Sequence, residues 1–239
     1  MGLSHLPDQY DSTRRALHQL AFFAIAPKRH AATGKLGLRY TDGGFGTPLF
    51  DDEEQVRFEA GRLVHQRGTN TDRVEVETLR QACDFLEIPY REVWFEDFGD
   101  PLPPIGPDAR LEIAPEAATA LAGWFAFGDS VLLEERLIPD AVEVSDIQLW
   151  PEHFDLAFEM GSGPQRGTYG ASPGDDSHDE PYLYLAAWET VDRSEPFWND
   201  TAFNGASLSY RQLLKADDPR GAALGFFQRG YSVLTGPCR

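Results

Sequence analysis

Apolar residues recur at helical spacing over residues 12–26, through Leu17, Leu20, Ala21 and Ala24, with Phe22, Phe23 and Ile25 widening the face. This predicts a well-buried helix, capped by Asp11 or Ser12 and ended by Pro27. Leu36, Leu38 and Tyr40 alternate with Gly37 and Arg39 as in a half-buried strand, and Asp42-Gly43-Gly44 marks a turn. Strand-like pieces follow at 45–50, 55–59 and 62–67, then a helix over 76–87 and a strand over 90–96. The longest predicted helix is 115–135, with Pro115 in its first turn and Leu121, Trp124, Phe125, Gly128 and Leu132 on one face.

The clearest alternation covers 146–160. It sets Trp150, Glu152, Phe154, Leu156, Phe158 and Met160 on one side of a strand, and His153 and Asp155 on the other. A strand at 182–188 is apolar on parts of both faces, as for a strand inside a sheet. Ser209 and Gln212 have the spacing of a capping box, and Asp218-Pro219 opens a final helix whose face runs Ala223, Phe227, Gly230, Tyr231 and Leu234. Helices and strands come in clusters rather than regular βαβ units. The expected fold is therefore α+β, an antiparallel or mixed sheet with packed helices. Four prolines in residues 99–108 form the most linker-like stretch. It reads as an ordered crossing inside one domain, 1–239, because each flank alone is small for a stable core; the alternative is a split into 1–98 and 109–239.

Composition narrows the partners. The 239 residues carry a formal charge of −18, which repels phosphate backbones and anionic membrane surfaces, so neither nucleic acid nor membrane is the expected partner. The charge is uneven, with six basic and two acidic residues in positions 1–40. That segment is either a docking arm for an anionic partner or a basic helix paired with the protein's own acids. Two cysteines, Cys83 and Cys238, are too few for a disulfide framework, and no apolar run reaches the span of a membrane helix. A reducing cytoplasm is the expected location.

Several motifs fail on their chemistry. Gly170-Ala171-Ser172-Pro173-Gly174 has the letters of a nucleophile elbow, but Pro173 has no N–H to offer an oxyanion. Asp175, Ser177 and Asp179 match three calcium-loop positions, while Glu180 and Ala186 stand where glycine and a bidentate acid are needed. Dinucleotide, P-loop and zinc signatures are absent. What remains is His153 and Asp155 on one strand face, with His178 just before the next strand. Histidine beside carboxylate can hold a transition metal or act as an oriented base. Trp150, Tyr182, Tyr184 and Trp188 are candidates to line a pocket.

Over about 90 residues, the C-terminal half resembles a bacterial family recorded only as a domain of unknown function. The features are Trp150 followed by Phe154-Asp155-Leu156-Ala157, a loop closing on Glu180-Pro181-Tyr182-Leu183-Tyr184, and Ala216-Asp217-Asp218-Pro219 opening a helix with Ala223-Leu224-Gly225-Phe226-Phe227-Gln228. Residues 173–180 are acidic where that family is glycine-rich. The resemblance implies a common fold and no activity, cofactor or oligomeric state. The sequence thus predicts a non-enzymatic module for a small ligand or protein, binding through His153, Asp155, His178 and Tyr182. The alternative is an enzyme, possibly metal-dependent, built around His153, Asp155 and His178.

Overall fold

The structure is a computed structural model that describes residues 2–51, 53–92, 102–139 and 141–236. The fold is α+β, with two five-stranded antiparallel sheets and packed helices. The chain forms two compact units: unit 1 comprises 1–5, 127–148 and 155–239, and unit 2 comprises 6–126 and 149–154. The described part of the Pro-rich stretch, 102–108, lies within unit 2, while 99–101 fall outside the described residues.

Unit 2 begins with a helical rod: α1 (Tyr10–Leu20), a π-turn (Ala21–Ile25) and α2 (Ala26–Thr33). The rod runs past Pro27, where the sequence predicted an end. At the π-turn the Ala26 N–H reaches back five residues to the Ala21 carbonyl, which shifts the hydrogen-bond register just before the proline. Pro27 has no N–H for the Phe23 carbonyl four residues back, and the buried Cys83 thiol donates to that carbonyl at 3.6 Å. The rod ends at Gly34, which takes the left-handed conformation of a helix cap (φ +70°). At its start Asp11 is no cap. Its carboxylate accepts from Arg14 and Arg15. Lys28 pairs with Glu54 at 3.3 Å, and Arg29 donates to the Gly37 carbonyl, so much of the basic segment is engaged inside its own unit.

A meander follows, with β1 (Arg39–Thr41), β2 (Gly44–Gly46), β3 (Glu54–Glu59), β4 (Arg62–Arg67) and β5 (Asn70–Val74) paired in chain order. The predicted turn at Asp42-Gly43 joins β1 to β2. The piece predicted at 45–50 keeps only its first residues as strand, and β5 went unpredicted because Asn70, Asp72 and Arg73 give it a polar edge. The helix α3 (Leu79–Phe85) is shorter than the predicted 76–87, because Thr78 caps it by accepting from the Gln81 N–H. Tyr90–Glu92 are not strand, and 93–96 lie outside the described residues, as does Cys238.

The long helix α4 (Pro115–Glu135) has the predicted bounds, and β6 (Gln148–Trp150) follows. The strand predicted over 146–160 is broken. Pro151–Phe154 form a tight turn closed by the Phe154 N–H on the Trp150 carbonyl at 2.7 Å, and Phe154 takes a positive φ of 57°. This conformation is costly for an aromatic residue. Packing in unit 2 holds it: His18 stacks on the Phe154 ring at 5.2 Å, and Phe45 and Phe125 meet it edge-on at 5.0 and 5.4 Å.

Unit 1 is built on β7 (Asp155–Met160), β8 (Gly167–Ser172), β9 (Tyr182–Ala187) and β10 (Gly205–Ser209), adjacent in that order. α5 (Tyr210–Lys215) and α6 (Pro219–Thr235) follow. Both predicted caps form. Ser209 and Gln212 make the reciprocal capping box, and Asp218 accepts from the Gly221 N–H. Register fixes the two faces. Leu156, Ala171, Leu183 and Leu208 lie in one row, with Phe158, Tyr169, Leu185 and Ala206 in the next. This apolar face is backed by helices: Tyr169 meets Phe227 of α6 at 5.9 Å, and Gly128 of α4 lies against Ala171. The opposite face carries Asp155, Ser172, Gly170, Tyr182, Tyr184, Ser207 and Ser209.

Candidate functional site

The polar face of the unit 1 sheet collects the titratable side chains. Asp155 opens β7 and is 6% exposed, and the Tyr184 hydroxyl of β9 donates to its carboxylate. Tyr184 fits because residue 170, its neighbour on β8, is glycine: a Cβ there would run into the Tyr184 ring. Two residues earlier on the same face of β9, Tyr182 donates to Asp175 at 2.5 Å. Burial raises the pKa of both phenols, and the neighbouring carboxylates raise it further.

Asp175 sits in the loop between β8 and β9 and organises it. Its Oδ1 accepts from the backbone N–H groups of Ser177 and His178 at 2.7 and 2.8 Å, an Asx-type turn. The same oxygen lies 3.3 Å from His178 Nδ1. On the other side of the ring, Nε2 lies 2.9 Å from Asp200 Oδ2. Whichever ring nitrogen carries a proton donates to the carboxylate that it faces, since an ionised carboxylate only accepts. The His178 ring also stacks on Tyr182, with centroids 4.1 Å apart. Phe203 closes the cluster against Tyr182 and Tyr184.

Burial opposes the charge on Asp175. The Tyr182 hydroxyl, the two N–H groups and the His178 ring outweigh it, and its pKa is lowered. Asp200 follows the same logic, with burial opposed by Ser207, the Ala202 N–H and His178, and its pKa is also lowered. Arg193 fixes the backbone around Asp200 by donating to the carbonyls of Trp198, Asp200 and Phe203.

Of the four predicted site residues, Asp155, His178 and Tyr182 come together on this face. His153 does not. It lies exposed in the turn of unit 2 made by the strand break at Pro151. Tyr184 belongs to the cluster, whereas Trp188 is 56% exposed and carries the Arg166 guanidinium 4.7 Å over its ring. Asp200 and Phe203 went unpredicted, because neither stands in a local pattern and only the chain's return after β9 brings them in. Among the described residues, no group of three or more His, Cys, Asp or Glu is arranged as metal ligands. Among the described residues, no helix is long and apolar enough to cross a membrane.

No family model, curated protein or solved structure matches this chain.

Proposed function

We propose that the chain is a binding module whose ligand-reading surface is the polar sheet face of unit 1. The observation that carries this reading is the hydrogen-bonded belt of Tyr182, Asp175, His178 and Asp200, with Tyr184 on Asp155 beside it. The His178 ring is held between two carboxylates, Asp175 and Asp200, which fixes its orientation on this face. The accessible end of the belt is Asp175, whose side chain is 40% exposed, with the half-buried rings of His178 and Phe203 beside it. Carboxylate next to aromatic faces suits a ligand with positive charge or several hydrogen-bond donors. The overall −18 charge would draw such a ligand in. Membership of the C-terminal half in the bacterial family of unknown function is part of the same proposal and adds no activity to it.

The test is an NMR titration of the full chain with spermidine, free arginine and glucose as separate probes. Shifts confined to His178, Tyr182, Tyr184 and Phe203 with at least one cationic probe are expected. No shift at these residues with any probe would overturn the reading.

A further inference from the structure

We propose that unit 1 carries a proton-operated latch: the buried Glu135 lets the last turn of α4 stay packed while it is protonated and releases that turn on ionisation. Glu135 is 1% exposed, and neither carboxyl oxygen has a hydrogen-bond partner among the described residues. Tyr169 of β8 is fully buried, its hydroxyl is likewise without a partner, and it lies within electrostatic reach of Glu135 and of Tyr231 on α6. A buried acid without a partner is tolerable when neutral and costly when charged, because nothing replaces the lost hydration of the carboxylate.

Three features of the surroundings disfavour the charged form. Glu135 stands in the final turn of a 21-residue helix, where the backbone dipole repels an anion, and that turn holds no basic residue. Glu134 adds a like charge next to it. The nearby cations are engaged elsewhere: Arg220 pairs with Glu134 at 2.7 Å, and Arg136 binds the Ser145 carbonyl at 2.9 Å and Asp146 at 3.2 Å. Consistent with this geometry, burial first and Glu134 second push the Glu135 pKa up to about 7, against an ordinary 4.5. The fold then binds more protons than the unfolded chain between those two values. Its stability therefore falls as pH rises through that window and stays low above it. The ionised carboxylate is rehydrated most directly by fraying the helix end, whose neighbours Leu133 and Leu137 are already 46% and 76% exposed.

Hydrogen exchange of the amides at 131–137, corrected for intrinsic rates, tests the latch at pH 6 and pH 8.5. The wild-type chain is expected to lose about tenfold or more of its protection at the higher pH, while Glu135→Gln keeps it. Equal losses in both proteins would overturn the proposal. A carbon-13 titration of the Glu135 carboxyl in the wild-type chain decides the matter without any variant. A midpoint near neutrality supports the latch, and one near the ordinary 4.5 overturns it.

Discussion

Tyr182 donates its hydroxyl proton to Asp175 across 2.5 Å, tying strand β9 to the acidic loop that leads into it. Within that loop Asp175 is engaged, while Asp176 and Asp179 are exposed. Asp175 spends one oxygen on Tyr182 and the other on its own backbone turn and the His178 ring. The same economy governs Asp200 on the other side of that ring.

Acid should dismantle this belt. The pKa values of Asp175 and Asp200 lie below their ordinary 3.8, so the stability they add is full above that value and is lost as pH falls through the lowered ones. Asp200, with a side chain 4% exposed, is the cleaner probe. Asp200→Asn should cost roughly 1–3 kcal/mol at pH 7 and flatten the fall in stability below pH 4, measured by urea unfolding across pH.

Gly170 makes room for Tyr184, so Gly170→Ala should push the ring off Asp155. Overpacking of this kind costs roughly 1–3 kcal/mol. Tyr184→Phe, which keeps the ring and removes the donor to a buried carboxylate, should cost a similar amount. Thermal unfolding of the two variants and the double variant checks this. Losses that simply add would mean that the two residues act separately.

His18 should stay neutral well below the usual histidine range. Burial, with Arg14 and His153 nearby, outweighs the Pro151 and Glu152 carbonyls and brings its pKa down to about 4. A lowered histidine pKa makes the unfolded chain the better proton acceptor between 4 and 6.5. Stability linked to this ring is therefore present above 6.5 and lost as pH falls towards 4. An NMR titration should show the His18 ring protonating with a midpoint near 4, its Nε2–H still donating to the Pro151 carbonyl at pH 6.

Cys83 should be inert. It is buried, its thiol donates to Phe23, and burial pushes its pKa to about 11. Iodoacetamide followed by peptide mass mapping should find Cys83 unmodified in the native protein and modified after denaturation.

Much of this was legible where local chemistry decides the outcome. The 115–135 helix, the Ser209–Gln212 box and the Asp218-Pro219 start are written in caps and periodicity, and the structure keeps all three. The alternation that places Asp155 opposite Leu156 and Phe158 survives within 155–160. It failed across Pro151, where a missing N–H and the aromatic cage around Phe154 ended the strand and left His153 in an exposed turn of unit 2. β8 and β10 were missed because glycine, serine and alanine give them little strand character of their own, and neighbouring strands supply it. The face of α4 read from Leu121 to Leu132 continues at Glu135, whose burial the sequence pattern alone did not predict for a charged residue.

The central claim is that the Asp175 end of the polar face reads a cationic ligand. Calorimetric titration of spermidine into the wild-type chain and into Asp175→Asn tests it most directly. The account predicts measurable binding to the wild type, weakened about tenfold or more in the variant, as for loss of a charge-assisted hydrogen bond. Equal affinity for the two proteins, with both folded, would contradict it.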